Sequence, residues 1–147
     1  MQGEQKTPGP DHPIDMVEID RPARIIFDGV EIVSSTHYVA LKEAGYTEVA
    51  YIPRDNLDER MVQPSDRRTW CPYKGEARYF HLLTRDGKRM ENALWSYDDP
   101  FPAVAAIAGH VAAFPDRVDA IEAGEHSATP DVDNSFSRTP RPGQENG

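Results

Sequence analysis

The sequence predicts a single, mainly β domain with one packed α-helix, and three observations lead there. Asp28-Gly29 stands between the apolar runs 24–27 and 30–33, the pattern of a two-residue hairpin turn. Asp86-Gly87 repeats the device between residues 77–83 and 90–95. Between them, residues 70–81 read as a tight turn feeding a strand: Pro72 presets φ for a corner, and Gly75 can take the positive φ that bulkier residues resist. From Ala77 onward, Tyr79, His81 and Leu83 alternate with Arg78, Phe80 and Leu82, as on a pleated strand.

The order of elements follows. Residues 1–20 are rich in Pro, Gly and charge and read as a mostly irregular arm, whose only distinctive patch is Asp11-His12-Pro13-Ile14. Residues 21–123 form the β domain, with roughly seven strands. In the first hairpin Phe27 is expected to face Val30, Ile25 to face Ile32, and Ile26 to oppose Glu31. Residues 38–43 and 48–52 read as strands, 54–60 as irregular, 61–63 as a short strand and Pro64-Ser65-Asp66 as a turn. A two-residue turn at Asp86-Gly87 would pair Leu83 with Met90, His81 with Asn92, Phe80 with Ala93 and Arg78 with Trp95. Asp98-Asp99-Pro100-Phe101-Pro102 has the cap and proline of a helix start, with Val104, Ile107, Ala108 and Val111 on one face. Residues 117–121 alternate as a last strand, and residues 124–147 read as a disordered tail.

Composition narrows function. The net charge is −9, but residues 21–123 hold sixteen acids against thirteen bases, so the acidity lies mostly in the ends. Nucleic-acid binders lean on excess Lys and Arg, so no nucleic-acid partner is expected. A single cysteine excludes an internal disulfide and a multi-cysteine zinc site, and the histidines lack metal-ligand spacing, so no metal and no cofactor is expected. That cysteine usage fits a reducing, cytoplasmic setting. No run is long and apolar enough to span a bilayer, so no membrane partner is expected.

The candidate chemistry gathers at the central turn. Lys74 beside Gly75 can serve as a point charge for a carboxylate or phosphate, or attack a carbonyl if its pKa falls. Cys71 could be a thiolate helped by Lys74 and Arg78, and His81 a general base; a buried thiol and a core histidine bonded to Asn92 are the plainer readings. Tyr51, Trp70, Tyr73, Tyr79, Trp95 and Tyr97 could wall a pocket, with Arg54, Arg67, Arg68 and Arg78 converging with Lys74 on an anion beside Gly75, although Arg67 and Arg68 read more simply as a solvated loop.

These residues also carry a resemblance. Cys71-Pro72-Tyr73-Lys74-Gly75-Glu76-Ala77, then Glu91-Asn92-Ala93-Leu94-Trp95-Ser96-Tyr97 and Pro100, resemble the family catalogued as domain of unknown function 427. Tyr51-Ile52-Pro53-Arg54, the opening hairpin and Pro8-Gly9-Pro10-Asp11-His12-Pro13-Ile14 match it too, so the resemblance covers about residues 8–122. It implies a tent-like antiparallel sheet arrangement similar to methionine sulfoxide reductase B and Yippee-type proteins. Relatives of that shape often hold zinc on paired CxxC motifs, which one cysteine cannot supply. The family's label suggests nucleotidyl transfer, but such chemistry needs closely spaced acids on one face, and Asp98-Asp99 are adjacent. The expected function is therefore binding of a small anionic or carbonyl-bearing molecule at the 71–75 turn. An enzyme using Lys74, Cys71 or His81, or a nucleotidyltransferase-like one, and a protein-interaction module are the alternatives.

Overall fold

The structure is a computed structural model and describes residues 3–124. The predicted tail, apart from Gly124, lies outside the described residues. Among the described residues there are ten strands: β1 (Ile14–Ile19), β2 (Ala23–Phe27), β3 (Val30–Ser35), β4 (Tyr38–Glu43), β5 (Val49–Pro53), β6 (Val62–Cys71), β7 (Gly75–Leu83), β8 (Arg89–Ser96), β9 (His110–Ala113) and β10 (Ala120–Ala123). Seven of them form one sheet in the order β1-β4-β5-β9-β8-β7-β6, and β10-β2-β3 form a second. Every strand pair in both is antiparallel.

The large sheet buries both faces, and strand alternation sorts the residues between them. Ile52, Phe80, Leu82, Leu94 and Val111 point to a core shared with Ile25, Phe27, Ile32 and Val33 of the small sheet. Tyr51, Tyr79, Trp95 and Tyr97 point to the other face, which Val104, Ile107 and Phe114 cover. At roughly 25 cal/mol per Å² of apolar area, these two layers are the main favourable term in folding.

The first hairpin forms with Asp28 and Gly29 both at positive φ (52° and 73°), as its turn type needs. Phe27 faces Val30 and Ile26 faces Glu31, but an irregularity between Ile25 and Ile26 moves Ile25 opposite Val33 rather than Ile32. The arm differs from its expectation. Regular structure starts at Ile14, because β1 finds unpaired backbone along β4 and seats Ile14 and Met16 on one core and Ile19 on the other. Pro64, Ser65 and Asp66 do not end a strand; they make an irregular step inside β6 before pairing resumes at Arg68.

The second hairpin is also shifted. Its loop runs from Thr84 to Lys88, closed by Thr84 N–H to the Lys88 carbonyl (2.8 Å) and Gly87 N–H to the Thr84 carbonyl (3.0 Å). Leu82 therefore faces Met90. A bulge between Phe80 and Leu82, with Asn92 at φ 50°, then sets Phe80 against Leu94, Tyr79 against Trp95 and Arg78 against Ser96. The expected Arg78–Trp95 pair does not form, and the Arg78 guanidinium lies 4.7 Å above the Phe80 ring instead.

The expected α-helix is replaced. Pro102–Ile107 is a 3₁₀ segment entered from Phe101 and broken at Val104 (φ −125°). Pro100 and Pro102 carry no N–H, and Ala108 is extended before Gly109 turns at φ 71°. Residues 110–113 then fill the gap between β5 and β8, where both of their edges are hydrogen-bonded. Tertiary pairing outweighs local helix signals here. After a 3₁₀ turn at Pro115–Arg117, the last strand spans Ala120–Ala123, later than the expected 117–121.

Gly75 begins β7 at φ 107°, with the Asp99 carbonyl 3.7 Å and the Phe101 nitrogen 3.8 Å from where a Cβ would stand. Gly75→Ala is expected to cost about 1–2 kcal/mol, since an L-residue resists positive φ. Gly45→Ala, in open space, should be near neutral. Urea unfolding midpoints of the two variants check this.

Candidate functional site

The turn between β6 and β7 is closed by Lys74 N–H to the Cys71 carbonyl (3.2 Å), and the Lys74 carbonyl accepts from Phe101 N–H (3.0 Å). With Gly75 packed against the backbone of residues 99–101, the Lys74 side chain runs inward rather than over the rim. It is 2% exposed and donates to Glu43 Oε1 at the end of β4. The other carboxylate oxygen of Glu43 lies 2.7 Å from His12 Nε2, and the His12 ring stacks on Tyr73 at 3.9 Å and 9°. A cation, an anion and an imidazole thus meet beneath the turn.

Burial alone would raise the Glu43 pKa, but the Lys74 charge and hydrogen bond, with help from His12, bring it below the ordinary value. Burial likewise disfavours the Lys74 ammonium. Tyr51, Cys71 and Glu43 outweigh that penalty and push the Lys74 pKa up; of the three, Glu43 is the one ionised near neutrality. Burial raises the Cys71 thiol, and the nearby Lys74 only partly offsets it. In this arrangement Lys74 is paired with Glu43 and Cys71 is buried, which disfavours the free amine and the thiolate that nucleophilic attack requires. His81 lies in a different place: its Nδ1 accepts from Asn92 N–H (3.0 Å), while Asn92 Oδ1 accepts from Ser65 (2.6 Å).

The aromatic residues belong to the second core. Trp95 and Tyr97 are fully buried and Tyr51 nearly so, and Trp95 Nε1 donates to the Tyr51 hydroxyl at 3.1 Å. Their rings pack against one another and against Phe114.

Arg54 and Arg78 do converge, away from Lys74. Arg54 reaches Asp98 Oδ1 at 2.6 Å and also donates to Ser96, while Arg78 reaches Asp98 Oδ2 at 3.2 Å. Burial would raise the Asp98 pKa, but the two guanidinium groups hold it below the usual range. Both arginines stand in the wall of a cleft of about 450 Å³ floored by Val62, Pro64 and Phe80. The size suits a small ligand. Asp55 and Glu59 stand in the same wall.

Sequence reasoning missed Glu43, Asp98 and Ser96 as partners. Glu43 ends an apolar strand, and nothing local says that its carboxylate turns inward. His12 did lie in the arm's one distinctive patch. Among the described residues, no three His, Cys, Asp or Glu side chains gather as a metal site. No described helix is long and apolar enough to cross a membrane.

A strand-rich domain with a glycine-dependent turn over a buried ion pair defines the class. A family model described as a domain of unknown function, 427, and labelled NTP_transf_9, matches residues 15–124, and the chain belongs to that family. No curated protein matches the chain.

Lys74→Met leaves Glu43 buried without its cation and is expected to cost about 3–5 kcal/mol, most of which Glu43→Leu in the same chain should restore. The sign with pH follows from the two shifts. Stability from the pair is complete between the ordinary Glu and Lys values, 4.5 and 10.5. It is lost as pH falls through the lowered Glu43 value, or rises through the raised Lys74 value. Denaturation midpoints from pH 6 down to 3 should fall for the native chain, with the double variant lacking that share of the acid loss.

Proposed function

We propose that this protein binds a small organic anion in the cleft walled by Arg54 and Arg78. The observation that carries this reading is the sharing of one half-exposed carboxylate, Asp98, by two guanidinium groups at a cleft wall. Within that triad one positive charge is left over, and so are donors, since each guanidinium has five N–H groups and the pair meets one carboxylate and the Ser96 hydroxyl. A carboxylate or phosphate ester could take up that surplus in bidentate fashion. The apolar floor of Val62, Pro64 and Phe80 favours a ligand with a hydrophobic body. Asp55 and Glu59 oppose an extended polyanion, so a compact acid with one charged group fits best.

This keeps the expected ligand class and moves its anchor from Lys74, which Glu43 already neutralises, to the arginine pair. Nucleotidyl transfer gains little, because Asp98 is itself neutralised by Arg54 and Arg78 and would be a weak ligand for a divalent cation.

A thermal-shift screen over monocarboxylates, dicarboxylates, sugar phosphates and nucleotides should raise the melting point with at least one compact acid, because a native-state ligand stabilises by mass action. The Arg54→Gln/Arg78→Gln variant should bind that compound about 10–100-fold more weakly, as loss of charged hydrogen bonds implies. Arg89→Gln, an exposed pair to Glu91 elsewhere, should bind it as before. Undiminished affinity in the double variant, or no shift with any acid, overturns the reading.

A further inference from the structure

Trp70 stands near the end of β6, and Phe101 is pinned beside the start of β7 by its N–H bond to the Lys74 carbonyl (3.0 Å). The two rings meet at 5.5 Å and 74°, so they make adjoining walls at nearly a right angle. They line a groove of about 410 Å³, which Pro102 extends and which Gly3 and Gln5 border on the side of the arm. Trp70 Nε1 donates to the Glu4 carbonyl (2.9 Å), so the indole keeps no spare donor and offers the groove its π surface. Glu76 and Asp99 stand in the same lining. Both are exposed, and neither carboxylate has an ion-pair partner among the described residues. No basic residue lines the groove.

We propose that this groove binds a small, free alkylammonium ion of the trimethylammonium type. Two unmatched carboxylates beside a lining without a base repel an anion and attract a cation. The rings select which cation. A positive charge is drawn to the negative face of an indole or phenyl ring, and the attraction grows when the ion gives up its water. A bare ammonium or a divalent metal ion holds its water tightly, and burying it against rings is costly. A methylated ammonium spreads the same charge over apolar methyl groups, which can pack on Trp70, Phe101 and Pro102 while the carboxylates supply the counter-charge. The volume suits one compact ion. The proposal is independent of the arginine cleft, which has other residues in its lining and the opposite charge preference.

The full chain reports binding through Trp70, because its other tryptophan, Trp95, is fully buried. Choline added to the protein should change tryptophan emission saturably, with half-saturation at about 1–10 mM, as a pair of ring contacts to one cation implies. The neutral carbon isostere, 3,3-dimethylbutan-1-ol, should bind at least about 10-fold more weakly, since it has the shape without the charge. Phe101→Leu keeps an apolar wall and loses the ring, and should weaken choline about 3–10-fold. Glu76→Gln, at an exposed position where folding is not at stake, should weaken it about 2–5-fold and flatten its salt dependence. Glu18→Gln, which removes an exposed acid from edge strand β1, should leave it unchanged. Phosphatidylcholine vesicles separate a free ion from a lipid headgroup, and the protein should not sediment with them. No saturable change by about 100 mM choline, equal binding of the isostere, full affinity in Glu76→Gln, or sedimentation with the vesicles each overturns the proposal.

Discussion

The Lys74 ammonium and the Glu43 carboxylate are both nearly excluded from water, and that one constraint orders the centre of the molecule. Two charges can stay buried only if they meet, because desolvating either alone costs several kcal/mol. Meeting requires that the β6–β7 turn aim its lysine inward, which Gly75 permits by its positive φ. It requires that β4 end where it does, so that Glu43 lies under the turn. The second oxygen of that carboxylate then holds His12, and with it the lead into edge strand β1. Turn, sheet edge and arm are joined through a single side chain.

A buried ion pair is weak support for stability by itself, since apolar substitutes of similar shape often fold as well. Its value here is positional. It fixes the outer surface of the turn, where Trp70 and Pro72 face the arm, and leaves Arg54 and Arg78 as the cations at a cleft. Those two groups are partly solvated and share one carboxylate, so they retain unmet donors, whereas Lys74 is matched one to one. A cation that is fully matched belongs to the fold; one that is undermatched beside a cleft can serve a ligand.

What was legible in the sequence is what short-range chemistry decides. Asp28-Gly29 fixed a hairpin and Pro72 and Gly75 a turn, because φ preferences act within two residues. Residues 38–43 and 48–52 showed their strands through β-branched and aromatic content. Residues 104–111 carried a helical period yet became a 3₁₀ turn and β9, since the open slot between β5 and β8 is a fact of the whole sheet. The one-residue shift of the second hairpin came from Asn92 and the 84–88 loop, which no alternation rule registers. At the site, Arg54 and Arg78 were expected to converge with Lys74 on an anion; they meet at Asp98 instead, and neither Asp98 nor Glu43 beneath Lys74 was foreseen, because ion pairs across 20 to 44 residues leave no local mark.

The carboxyl ¹³C resonance of Glu43, followed by NMR as pH is lowered from 7, tests the pairing most directly. A midpoint below 4.5 in the folded protein, moving upward when Lys74 is replaced by Met, is the expected result. A midpoint at or above 4.5 that ignores Lys74 would show a carboxyl governed by burial alone, and the ion pair at the centre of this structure would be contradicted.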